Sequence, residues 1–127
     1  MACTIPGFLE GTPFEQGFRY WPGASGRHYL TRAMPPGQIG DFAGAPVVLA
    51  VVDRHDVRRP VWVGFAATEA FDRAVAAREC CALEAHLHLL GADAASCRLA
   101  VADLAAGLGL APGAEASDER VGCGIAA

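Results

Sequence analysis

Six consecutive apolar residues, 47–52, form the strongest secondary-structure signal in the chain. The run is rich in β-branched valine and lies between a Pro/Gly-rich segment, 35–45, and a polar turn, 53–59. A strand without hydrophobic alternation is typical of one that is covered on both faces. The run therefore predicts a central strand, and the apolar residues 61–65 predict the strand that returns beside it.

Shorter signals lie on both sides of this hairpin. Polar and apolar residues alternate over 83–90, which predicts a strand with one buried and one exposed face. Thr68 and Asp93 are suitable N-caps for two helices, and the glycines at 107 and 109 end the second. Two further strands, 18–21 and 27–34, are expected on either side of a turn.

These elements predict a single α+β domain over residues 18–110, in the order β-β-β-β-α-β-α. We expect a small, mostly antiparallel sheet of about five strands with both helices on one face, because a single helix layer leaves the polar face of 83–90 exposed. Residues 1–17 are expected to form an extended arm, since their prolines and glycines leave no room for a helix. Residues 111–127 are expected to form a flexible tail.

The composition excludes several classes of function. All ten basic residues are arginine, so neither a phosphate-binding loop that needs lysine nor a lysine Schiff base with pyridoxal phosphate is possible. Nucleic-acid binding is disfavoured because the formal net charge is −4. The odd number of cysteines and the lack of a long apolar segment predict reduced thiols and no membrane contact. We therefore expect a cytoplasmic protein, and the usage of alanine and arginine without lysine suggests a bacterial one.

The polar face of 83–90 is the best candidate for chemistry. Glu84, His86 and His88 alternate along one strand, so their side chains point the same way. Two imidazoles and a carboxylate are ligands for Zn²⁺ or Fe²⁺, which makes a metal site one interpretation. A solvent-exposed face, a pocket wall or a dimer contact explains the pattern as well, because no further ligand is evident.

Other candidates have simpler explanations. The turn before Arg27 is either a backbone nest for an anion or a plain hairpin turn, and turn chemistry favours the second. The adjacent Cys80 and Cys81 are expected to be packing thiols, because they follow a helix C-terminus, where the dipole raises rather than lowers a thiol pKa. Ser25 has no evident partners for a hydrolase triad. We therefore predict no catalytic residue.

A predicted strand–turn–strand unit over 48–64 ends in Gly64, and the helix that follows carries Arg73. In these features residues 47–107 resemble a GIY-YIG domain. The resemblance implies a nuclease or a nucleic-acid-binding domain.

The chain departs from the GIY-YIG pattern at the catalytic positions. No tyrosine follows Tyr29, and Trp62 stands where the second motif tyrosine is expected. Tryptophan has no hydroxyl for proton transfer, and Glu84 is a poor match for the late catalytic glutamate. The resemblance therefore implies a degenerate relative without the nuclease machinery.

Four further features lie along the chain: the segment 21–27, a strand ending in Gly64, a His-x-His-Leu-Leu strand over 86–90 and the acidic-leucine pair 103–104. In these features the whole chain is similar to a set of uncharacterised small bacterial proteins. This resemblance supports the domain boundaries and implies no activity.

These observations favour a non-enzymatic binding or accessory domain that contacts another protein or a second copy of itself. The predicted contact surface consists of Glu84, His86, His88, Arg27 and Arg73. A metal-dependent enzyme using Glu84, His86 and His88 is the first alternative. A degenerate GIY-YIG-like domain acting on nucleic acid is the second.

Overall fold

The computed structural model describes residues 3–12, 17–79, 81–91 and 93–113. Five strands and two α-helices make up the described core: β1 (Phe18–Pro22), β2 (His28–Met34), β3 (Pro46–Val52), β4 (Arg58–Phe65), α1 (Glu69–Ala76), β5 (Leu83–Leu87) and α2 (Ala94–Leu108). The predicted α+β class and element order are confirmed. Single 3₁₀ turns, at 7–9, 36–38 and 40–42, lie in the connecting segments.

One sheet holds all five strands in the order β1-β2-β5-β3-β4, and every neighbouring pair is antiparallel. The hairpin β1–β2 forms one side of the sheet, and the hairpin β3–β4 forms the other. Strand β5 enters between the hairpins and pairs with both, so that Leu87 lies opposite Arg32 on one side and Val47 on the other. The last strand in the sequence therefore joins the two hairpins into one sheet.

Strand β3 is covered on both faces, as its continuous apolar run predicts. Val47, Leu49 and Val51 belong to one buried cluster, and Val48 and Ala50 belong to a second. All five side chains are fully buried.

The prediction that both helices pack on one face is wrong. The first cluster contains Phe71 and Ala74 of α1, whereas the second contains Val101 and Leu104 of α2. The two clusters lie on opposite faces because they take alternate residues of β3. The α2 face is thus the one that carries the polar residues of β5.

Local signals explain where the helices begin and end. The Thr68 hydroxyl accepts a hydrogen bond from the Phe71 amide, and the Asp93 carboxylate accepts one from the Ser96 amide. Gly109 ends α2 in a left-handed conformation, with φ at 73°. None of the helices in the described ranges is long and apolar enough to cross a membrane.

Only part of the predicted flanking segments lies within the described residues. Thr4 forms an isolated antiparallel bridge with Tyr20, so the arm pairs with the outer edge of β1 at this point. Most of the predicted tail, residues 114–127, lies outside the described residues.

The placement of α2 can be tested by comparing two leucines of the same helix. Leu104 is fully buried against the sheet, whereas Leu99 is 71% exposed. We expect Leu104→Ala to lower the free energy of unfolding by about 2–5 kcal/mol, because it removes buried apolar surface and leaves a cavity. The matched control Leu99→Ala is expected to change it by less than about 0.5 kcal/mol. Urea unfolding measures both, and equal losses would contradict this orientation of α2.

Candidate functional site

The three polar residues predicted as metal ligands share the α2 face of the sheet, but their environments differ. Glu84 and His86 belong to β5, and His88 follows directly after it. His86 is fully buried, whereas Glu84 and His88 are partly exposed. The prediction that this strand face is open to solvent is therefore wrong at His86.

The burial of His86 depends on hydrogen bonds at both of its ring nitrogens. The indole Nε1 of Trp21 donates to His86 Nδ1 over 2.9 Å, so Nδ1 carries no proton. Nε2 lies 2.9 Å from Oε1 of Glu84 and donates its proton to that carboxylate. The imidazole is therefore neutral, and burial lowers the pKa of His86 below its ordinary value despite the carboxylate beside it.

Glu84 continues this arrangement toward β4. The Arg58 guanidinium donates to the carboxylate from Nε over 2.9 Å and from a terminal nitrogen over 3.2 Å. The hydrogen bond from His86, reinforced by Arg58, lowers the pKa of Glu84 to about 2. We call Trp21, His86, Glu84 and Arg58 the polar bridge, because they link β1, β5 and β4 across one face of the sheet.

The metal site predicted at Glu84, His86 and His88 does not form. Both nitrogens of His86 are bonded to protein groups, and Nδ1 of His88 donates to the Leu30 carbonyl over 2.9 Å. Within the described residues, no group of three or more His, Cys, Asp or Glu side chains is placed to hold a metal ion. The same bonds leave His86 no nitrogen for proton exchange with a substrate.

His88 lies in a cleft between the start of β2, the segment after β5 and helix α2. Its ring meets that of Tyr29 edge-on, with centroids 5.3 Å apart. The cleft has a volume of about 290 Å³, and we call it the His88 cleft; it is lined by Arg27, His28, Tyr29, His88, Leu90, Gly91, Ser96, Leu99 and Ala100. A shallower cavity of about 380 Å³ shares His88 and includes Asp93 and Cys97.

Exposed leucines surround the His88 cleft. Leu90 is 70% exposed and Leu99 is 71% exposed, and both line the cleft. The neighbouring Leu89 is 41% exposed. These three residues, the leucine rim, account for most of the large exposed hydrophobic side chains in the described parts of the chain, the others being Phe8 and Val57.

Asp103 of α2 fixes the turn between β1 and β2. Its carboxylate accepts hydrogen bonds from the Ser25 amide over 2.8 Å, the Ser25 hydroxyl over 2.5 Å and the Tyr29 hydroxyl over 2.7 Å. The Ala24 amide donates to the Asp103 backbone carbonyl. The amides proposed for an anion nest are therefore bonded to the protein itself. Gly107 permits this contact, because a Cβ there would lie 2.7 Å from the Ala24 nitrogen.

The five residues predicted as a contact surface fall into three places. Arg27 and His88 both line the His88 cleft, whereas Glu84 and His86 belong to the polar bridge. Arg73 lies on α1, which packs on the other face of the sheet.

Of the two adjacent cysteines, Cys81 lies within the described residues. Burial raises the pKa of the Cys81 thiol, as suits a packing side chain. Cys80 lies outside the described residues.

Sequence reasoning missed the leucine rim. One signal was present: Leu99 falls outside the apolar stripe of α2 formed by 97, 101, 104 and 108. A large apolar side chain off the buried stripe indicates either chance exposure or a second contact face. No comparable feature of the sequence indicates the hydrogen bond between Trp21 and His86.

The polar bridge predicts a stability that falls in acid. The pKa of His86 is lowered, so folded protein resists a proton that the unfolded chain accepts, and stability is expected to decline as pH falls below about 6.5. The lowered pKa of Glu84 adds a further loss between about 4.5 and 2. His86→Asn, which keeps an acceptor for Trp21, is expected to remove the first decline, whereas the exposed His55→Asn is not. Urea unfolding across this pH range measures it, and an unchanged slope in His86→Asn would contradict the assignment.

No family model, curated protein or solved structure matches this chain. The resemblances to GIY-YIG domains and to the small bacterial proteins therefore stay predictions.

Proposed function

We propose that this chain is a non-enzymatic binding domain that contacts another protein, or a second copy of itself, through the His88 cleft and the leucine rim. The observation that carries the proposal is the position of Leu90 and Leu99. Both side chains are about 70% exposed, and both line the same cleft. Contiguous exposed apolar surface beside polar groups is characteristic of interaction sites.

The outer face of α2 supports the same surface. Ala95, Leu99, Ala102 and Ala106 are exposed and follow one another at helical spacing. The helix contains only two charged residues, Arg98 and Asp103, and Asp103 is bonded to the β1–β2 turn. A helix that is apolar on both sides is typical of one that packs against two neighbours.

The energetic reason for a partner is the apolar area that the leucine rim exposes to water. Full burial of one leucine side chain contributes roughly 1.5–3 kcal/mol. Arg27 and the histidines at the edge of the cleft provide the polar surroundings that the core of an interface usually has. A few buried anchors of this kind commonly dominate the affinity of a protein complex.

The enzymatic alternatives receive less support. A metal-dependent or acid–base reaction at Glu84 and His86 would need a free ring nitrogen, and both are bonded within the protein. For a nuclease related to GIY-YIG domains, Trp62 occupies a motif position, yet its side chain is 1% exposed and packs against Phe71. Neither site offers reacting groups to a substrate.

A photocrosslinking amino acid at position 99 tests the proposal directly. The protein is expressed in its source cells with p-benzoylphenylalanine in place of Leu99 and is irradiated. We expect discrete adducts, either with a second copy or with a partner protein, because the side chain at this position is buried in the complex. The matched control carries the same residue in place of Val57, which is 50% exposed in the β3–β4 turn.

The control position lies at the opposite end of the sheet, since β3 and β5 are antiparallel and His88 follows the far end of β5. It is expected to give no discrete adduct. The same pattern from both positions, or none from position 99, would reject the proposed surface.

A further inference from the structure

We propose that the His88 cleft recognises a carboxylate that stands next to a branched apolar side chain, as an acidic and apolar segment of a partner chain provides. The carboxylate would be bound by Arg27, beside His88, and the apolar group would lie between Leu90 and Leu99. This inference rests on the proposed function, because it names the chemistry of the partner at the same surface.

The polar residues that line the cleft are mostly basic. The cleft contains Arg27 and two histidines, His28 and His88, and none of the described residues that line it is an aspartate or glutamate. This is notable in a protein whose formal net charge is −4. A site lined by groups that are cationic or able to become so favours an anion, and an arginine binds a carboxylate through two parallel hydrogen bonds.

Asp103, whose carboxylate accepts a hydrogen bond from the Tyr29 hydroxyl, is not part of the cleft lining. Hydrogen bonds from Ser25 and Tyr29, reinforced by the charge of Arg27, lower the pKa of the Asp103 carboxyl. Its oxygens already accept three hydrogen bonds, from the amide and hydroxyl of Ser25 and from the hydroxyl of Tyr29. The carboxylate is thereby held against the turn, and the exposed Arg27 side chain faces the cleft.

His88 is held in a fixed orientation at the same wall. Its Nδ1 donates to the Leu30 carbonyl over 2.9 Å, and its ring rests edge-on against Tyr29. The second nitrogen, Nε2, has no hydrogen bond to the described part of the chain. This nitrogen can therefore bond to a polar group of a ligand.

The size and the apolar wall of the cleft restrict the rest of the ligand. Leu90, Leu99 and Ala100 supply apolar side chains to the lining of the cleft. The volume of about 290 Å³ is at the lower end of the range for ligand pockets, and it suits one or two residues of a partner rather than a whole helix. A leucine-like side chain beside a carboxylate meets both the polar and the apolar requirement.

Two small probes that differ only in charge test this inference. N-acetyl-leucine carries the carboxylate and the isobutyl group, and N-acetyl-leucinamide carries the isobutyl group alone. Each is titrated into uniformly ¹⁵N-labelled full-length protein and followed by amide chemical shifts. We expect saturable shifts at Tyr29, His88 and Ala100 with N-acetyl-leucine, and at least about tenfold weaker binding of the amide.

Arginine variants identify the group that recognises the charge. Arg27→Gln is expected to weaken binding of N-acetyl-leucine about tenfold and to remove the preference over the amide. Arg54→Gln is the matched control, because Arg54 is an exposed arginine of the β3–β4 turn, remote from the cleft. It is expected to leave both titrations unchanged.

Each other outcome overturns the inference. Equal binding of the two probes would show that the cleft selects only apolar groups. The absence of saturable shifts at tens of millimolar, or a preference that survives Arg27→Gln, would exclude carboxylate recognition here. These failures are distinct from failure of the proposed function, because crosslinking at position 99 reports a protein contact whatever its charge.

Discussion

The structure depends on the hydrogen bond by which Trp21 holds a neutral His86 in the core. His86 is fully buried, and leaving one of its ring nitrogens unpaired there would cost about 1–3 kcal/mol, so the hydrogen bonds at both nitrogens offset the cost of its burial. Tryptophan only donates and an ionised carboxylate only accepts, so Trp21 and Glu84 together permit one tautomer of the ring between them. The ring stands on β5, Trp21 on β1 and Arg58 on β4, and the polar bridge therefore connects both hairpins to the strand that separates them.

The two histidines of this strand face therefore have different roles. His86 lies where β5 is paired on both sides, and its nitrogens are used to hold the sheet together. His88 lies just beyond the last paired residue, where the chain turns toward α2 and a cleft opens. The spacing of two residues gives both the same direction, and the end of the strand gives them different surroundings. The candidate binding surface thus begins where the pairing of β5 ends.

The sequence contains enough information for the sheet but not for its two faces. The apolar run of β3, the turn residues of the two hairpins and the helix caps are local signals, and each predicts an element that the structure contains. The strict alternation of β5 predicts which side chains share a face, but not whether that face is exposed. His86 is buried by Trp21, which lies 65 positions earlier in the chain, and no local pattern reports a partner at that distance. The wrong prediction that both helices pack on one face has the same origin. Because the polar face of β5 was expected to be exposed, α2 was expected on the other face, beside α1.

For the cleft, the sequence pointed to individual residues but not to their proximity. Sequence reasoning found Arg27 and His88 separately, from a turn motif and from strand alternation, and the fold is what brings them together. The leucine rim follows from the geometry of α2: Leu104 and Leu99 lie five positions apart, so one side chain enters the core when the other faces water. A stable monomer has no need of a leucine at the exposed position, since a polar residue there would serve the helix equally well. The pairing of an exposed leucine with an exposed arginine around one cleft therefore supports our proposal of a partner that supplies complementary groups to both.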